Sequence, residues 1–208
     1  KPDYVEAHYA RGVAYGKREE YESEIEDYRK AIELDPEYAV AYFNLGVAHA
    51  RKQDNDRAIE EYTKAIELDP DYAKAYNNRG RVHARKQSYD QAVADYTRAI
   101  ELDPKYAGAY NNRGSVFLQQ EEPDRAMEDY DKAIELDPKL AMAYNNRGTI
   151  FLNRGESARA IEEFTKAIEL DPELAMAIHN RGLAVLEMGD PKQASWHFVS
   201  ACGMGYQF

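Results

Sequence analysis

Apolar and polar positions along this chain follow a helical rhythm that restarts every 34 residues. The phrase ELDP closes at Pro36, Pro70, Pro104, Pro138 and Pro172, and glycine returns in one register at Gly12, Gly46, Gly80, Gly114, Gly148 and Gly182. Six units result, 5–38, 39–72, 73–106, 107–140, 141–174 and 175–208, with Val5, Ala39, Ala73, Ala107, Ala141 and Ala175 at position 1. In each unit, positions 4, 7, 8 and 11 fall within about 100° of a helical wheel. In the third unit they hold Tyr76, Arg79, Gly80 and His83. A second helix is predicted over positions 18–30, with its buried stripe illustrated by Tyr89, Ala92, Val93, Tyr96, Ala99 and Ile100. Glycine at 8 and alanine at 20 are small where two helices would cross, and the ring at 24 fills the gap beside them. Asp-Pro at positions 31–32 is expected to end the second helix and to open the next one, with the aspartate as N-cap.

These residues resemble the tetratricopeptide repeat (TPR), whose 34-residue pattern is W-x2-L-G-x2-Y, A-x3-F, P. The match covers the whole chain, with scattered departures. Position 4 is Tyr, His or Ile, position 7 is mostly Arg, Glu24 replaces the alanine of the first unit, and Tyr206 replaces the proline of the last. The resemblance implies an all-α, right-handed superhelical solenoid of six TPR helix pairs, forming one domain over residues 1–208. It also implies that the first helices line a concave groove that binds an extended peptide or a partner segment.

On the first helix, positions 2, 6, 9 and 13 form a stripe opposite the core stripe, with 5 and 12 beside it. Position 6 holds Asn44, Asn78, Asn112, Asn146 and Asn180, and position 5 adds Asn77, Asn111 and Asn145. An amide carries a donor and an acceptor together, so one per unit is expected to grip the backbone of an extended guest in both directions. The ladder resembles the one in the TPR superhelix of protein N-acetylglucosamine transferase, which implies asparagines that hold substrate polypeptide. The same stripe also carries Tyr9 and Phe43 early and Met142, Met176, Leu118, Leu152, Leu183 and Leu186 later. Arg51, Lys74, Arg81 and Arg85 form a basic stretch that suits a carboxylate. The two-carboxylate clamp of chaperone-binding TPR proteins is not met: Tyr9, Val13, Asn44, Lys74 and Asn78 supply two of its five residues.

Arginine at position 7 points toward the core, so ion pairs are expected with the acid at position 23, such as Arg79–Asp95 and Arg113–Asp129. Glu61 faces Leu45 and Arg181 faces His197, so each needs another partner. Glu60–Lys64, Glu128–Lys132 and Glu162–Lys166 read as exposed i,i+4 pairs, and His49 and His83 as core residues rather than metal ligands.

The 208 residues include 38 acids against 27 Lys and Arg, a net charge of −11 that argues against nucleic acid or an anionic membrane as partner. A single cysteine, Cys202, excludes an internal disulfide. No apolar run approaches the roughly 18 residues of a membrane span. A phosphate loop, a nucleophile elbow and metal-ligand spacing are all missing, so no catalysis, cofactor or metal is expected. The chain starts at Lys1 and ends on GMGYQF, which reads as a fragment of a longer protein. Two further readings stand beside peptide binding. One is a scaffold that self-associates through its C-terminal repeat, where Ser195, Trp196 and Met204 depart from the pattern. The other is a substrate-recruiting arm of a larger enzyme.

Overall fold

A computed structural model describes residues 2–206, and side chains from residue 4 onward. The expected replacement of the last turn is therefore visible only to Tyr206, with Gln207 and Phe208 outside the described residues. The described residues form the helices α1 (Pro2–Lys17), α2 (Tyr21–Leu34), α3 (Ala39–Arg51), α4 (Asn55–Leu68), α5 (Ala73–Arg85) and α6 (Tyr89–Leu102). They continue as α7 (Ala107–Gln119), α8 (Pro123–Leu136), α9 (Ala141–Asn153), α10 (Ser157–Leu170), α11 (Ala175–Glu187) and α12 (Pro191–Gly203). The contacts group the chain into two compact units, Lys1–Pro104 and Lys105–Phe208. In the first, α1 packs on α2, α3 on α4 and α5 on α6, with α2 on α3 and α4 on α5 joining the pairs. The second repeats this order from α7 to α12.

The second helices begin at position 17, one residue earlier than their predicted start. A sharper correction concerns Asp-Pro. Asp35, Asp69, Asp137 and Asp171 close helices but do not open the next ones, whose N-caps are Tyr38, Tyr72, Leu140 and Leu174 at position 34. Each aspartate accepts from the backbone N–H two residues on, as Glu37 N–H to Asp35 Oδ1 at 3.1 Å, and so folds an Asx turn. The proline bars the residue before it from helical geometry, so the carboxylate serves the turn rather than the following helix.

The aromatic at position 24 anchors each pair. Tyr28, Tyr62, Tyr96, Tyr130 and Phe164 are buried over the glycine at position 8. A Cβ on Gly148 would stand 2.8 Å from Phe164 Cε1, so only glycine admits the ring. The expected arginine pairs are present. Arg79 Nε donates to Asp95 at 2.9 Å and Arg113 Nε to Asp129 at 2.9 Å, each with a second bond from Nη2. Arg11–Asp27 and Arg147–Glu163 repeat the arrangement. The exposed pairs differ from expectation. Lys64, Lys132 and Lys166 turn forward to Glu67, Glu135 and Glu169 at i+3, away from Glu60, Glu128 and Glu162. His49 is buried, as expected of a core residue, and burial lowers its pKa.

Glu61 shows what a missing arginine does. Leu45 leaves its carboxylate without a hydrogen bond among the described residues, and burial raises its pKa, opposed by attraction to Arg29. A raised folded-state pKa means that the charged form weakens folding above that pKa. The penalty fades as pH falls and vanishes below the usual value of 4.5, where folded and unfolded chains are both protonated. Glu61→Gln should therefore stabilise the protein at pH 7 by on the order of 1 kcal/mol. Paired urea titrations at pH 7 and pH 4 would check this, and the gain should shrink at the lower pH.

Candidate functional site

The first helices carry the asparagines because each presents two successive polar positions between its core stripe and its free face. Their burial divides sharply. Asn77, Asn111 and Asn145 at position 5 are buried, whereas Asn44, Asn78, Asn112, Asn146 and Asn180 at position 6 are half-exposed. Tyr9 and Phe43 share position 5 and also turn inward, Tyr9 against Tyr28 and Tyr38, Phe43 against Tyr62 and Tyr72. Position 5 is thus a joint between repeats.

Position 6 reaches back to that joint. Asn146 Nδ2 donates to Asn111 Oδ1 at 3.1 Å and to Ser115 Oγ at 3.3 Å. Asn180 Nδ2 donates to Asn145 Oδ1 at 3.0 Å, and Asn44 Nδ2 to the Tyr9 hydroxyl at 3.1 Å and the Val40 carbonyl at 2.9 Å. At Asn44 and Asn146 both amide hydrogens are committed to the scaffold, so the two-way grip expected of them is reduced to an acceptor oxygen. Asn146 Oδ1 already receives Asn145 Nδ2 at 3.1 Å, which leaves it one lone pair. Asn44, Asn146 and Asn180 are thus inter-repeat staples with an acceptor edge.

The cationic residues separate as well. Arg51, Arg81 and Arg85 come together in a cleft of about 610 Å³ in the first unit, with Asn78, Asn55 and Tyr62. Lys74 is exposed and lies outside its lining. Arg81 has no acceptor among the described residues. Arg85 Nη1 donates only to the Ala50 carbonyl at 3.3 Å, and Arg51 Nη1 stands 3.7 Å from Glu24 Oε1. At the floor, burial pushes the Tyr62 hydroxyl up to about 12, while the three guanidinium groups and a hydrogen bond with Asn78 oppose that rise. Three cations with spare donors thus border a neutral hydroxyl and an amide, an arrangement that can hold a carboxylate against peptide. The sequence named these arginines but missed Tyr62, whose phenol at a core position gave no sign of reaching the cleft.

In the second unit the sequence's apolar stretch grows more exposed along the chain. Met142, Leu118 and Leu152 are half-buried, while Met176, Leu183 and Leu186 are exposed. Among the described residues no helix is long and apolar enough to cross a membrane, and no three His, Cys, Asp or Glu side chains converge on a metal-sized site.

Comparisons with known proteins agree with this architecture. A family profile described as "Tetratricopeptide repeat" matches residues 43–107, 77–141 and 111–175, and one described as "TPR repeat" matches 17–53. A search of curated proteins by sequence found no match. Among solved structures, the pilF protein of Pseudomonas aeruginosa shares the fold at 23% identity and a TM-score of 0.84, over 96% of this chain and 90% of its own. MamA is similar at 29% identity and a TM-score of 0.69, over 79% of this chain and 96% of its own. YrrB, described as a TPR protein with an unusual peptide-binding site, aligns at 27% identity and a TM-score of 0.63, over 85% and 91%. The register of the repeats, the helix pairs and the matching profiles lead to one assignment: this chain belongs to the tetratricopeptide repeat family.

Proposed function

We propose that this chain is a protein-interaction module that holds an extended acidic peptide, anchored in the first unit by Arg51, Arg81 and Arg85. The observation that carries this reading is the meeting of three under-used guanidinium groups in one open cleft, on a chain whose net charge is −11. Cations gathered against that overall balance favour a carboxylate over a phosphate backbone, because the surrounding acids repel a long polyanion. Asn78 and Tyr62 supply neutral hydrogen-bonding groups for the peptide main chain beside the anchored side chain. Within the first unit, the position-6 amides Asn44 and Asn78 contribute acceptor oxygens to guest N–H groups, and in the second unit Asn112, Asn146 and Asn180 stand at the same position of their repeats. The fold is that of a scaffold for protein contacts, and a peptide-binding site described for YrrB supports the same use here.

The test compares two fluorescein-labelled decapeptides, one alternating Glu and Ala, the other Gln and Ala, by fluorescence anisotropy. The acidic peptide should bind more tightly, and raised salt should weaken it. Arg81→Gln with Arg85→Gln should reduce its affinity about tenfold, the loss of one to two charge-assisted bonds. Equal binding of both peptides, or no change in the double variant, would sink the proposal.

A further inference from the structure

The last repeat breaks the arginine rule in a way that leaves a socket. In the other repeats with arginine at position 7 for which both partners are described, a carboxylate at position 23 receives the guanidinium, as Asp27, Asp95, Asp129 and Glu163 do. In the last repeat His197 stands there instead. Arg181 keeps one bond, from Nη1 to Thr165 Oγ1 at 3.3 Å, equivalent to Arg79 with Thr63 and Arg147 with Asp131. Its Nε is buried with no acceptor among the described residues, and the buried His197 Nδ1 is likewise unmatched. A guanidinium is never deprotonated in water-exposed or buried sites, so this charge stays without a counter-ion.

The space beside it is open. Arg181 and His197 line a cleft of about 640 Å³ with Ile161, Val185, Met188 and Trp196. Trp196 is 63% exposed and Met188 is 61% exposed, so the apolar rim is bare. Asp190 also borders the cleft, but it caps α12 by accepting from Gln193 N–H at 3.0 Å and adds no bond to Arg181. One unpaired cation thus sits under an apolar rim of a tryptophan and a methionine.

We infer that this cleft is a second binding site, which takes a partner segment carrying a carboxylate next to a large apolar side chain. The carboxylate replaces the missing position-23 acid at Arg181, and the apolar group packs on Trp196 and Met188. Charge complementarity selects the acid, since a neutral or basic segment would leave the guanidinium as it is. The inference is independent of the arginine cleft in the first unit, and its variants leave that cleft untouched.

The probe is 4-methylpentanoate, a carboxylate on a branched apolar chain, with its neutral amide as control. Binding is read on the whole protein from the Arg181 Nε–Hε resonance by heteronuclear NMR. The carboxylate should shift that resonance, and the amide should not. His197→Glu restores the repeat's own acid and should weaken binding at least about tenfold, whereas His197→Gln should keep it. Trp196→Gln, on an exposed side chain, should weaken it severalfold without unfolding the protein. Equal shifts from acid and amide, or undiminished binding in His197→Glu, would overturn the inference. So would a concentration-dependent doubling of mass that removes the shift, because a second copy would then be the occupant.

Discussion

Asp95→Ala is expected to destabilise the protein by about 3–5 kcal/mol, the range for stripping a counter-ion from a buried cation. The side chains of Arg79 and Asp95 are 19% and 7% exposed, so water screens the pair little. Two bonds, at 2.9 and 2.7 Å, run between them. After the substitution the guanidinium keeps only Thr63 at 3.0 Å and the face of Tyr76 at 5.6 Å. His83, whose Nε2 lies 3.9 Å from Asp95, cannot serve, since it is no anion. The pair itself contributes much less than this loss, because desolvating both charges offsets most of their attraction. Asp95→Leu combined with Arg79→Met should accordingly cost less than Asp95→Ala alone. Urea titration followed by circular dichroism would read both effects. A loss below about 1 kcal/mol for Asp95→Ala would place the pair with ordinary surface bridges.

Phe164→Ala should cost a similar amount, about 3–5 kcal/mol, for a different reason. The ring is wholly buried, among Phe151, Ala160 and Ala184, and its edge lies over Gly148. Removing it opens a cavity between two rigid helices that cannot close without unseating both. Gly148→Ala supplies the diagnostic partner. In the parent protein the new methyl would meet Phe164 Cε1 at 2.8 Å and Glu163 Cβ at 3.1 Å, so overpacking of about 1–3 kcal/mol outweighs the helix-propensity gain of about 1 kcal/mol. In the Phe164→Ala background the ring is gone and only Glu163 Cβ stays close, so the cost of the same methyl should shrink. Thermal melts of the four proteins test that rescue, and a cost for Gly148→Ala that is unchanged by the loss of the ring would refute the packing account.

Much of this architecture was legible because the register is unbroken. A residue's role could be carried from one unit to the next, and the position 7 to position 23 pairs follow from two antiparallel helices facing each other at a fixed offset. Legibility failed where a second repeat intervenes. A wheel of one helix sets position 5 beside the free face, yet Asn77, Asn111 and Asn145 are buried by their neighbours, which the wheel omits. The aspartate before proline misled differently. It suits an N-cap and an Asx turn alike, and only the backbone after the proline decides. Lys64 had acids at both i−4 and i+3, a choice that side-chain direction settles rather than spacing. The register leaves Arg181 without its acid, but the open cleft beside it depends on how α11 and α12 meet.

Within each unit every helix packs on its immediate neighbour in the chain or on the next but one, as α3 does on α5 and α9 on α11. A fold so closed on its own vicinity has no centre to protect. Inserting or deleting one 34-residue module adds or removes a seam and leaves the remaining seams as they were. Unequal exchange between nearly identical stretches such as AYNNRG therefore changes the length of the array without demanding a new interior, and lineages can adjust the reach of the protein by counting modules.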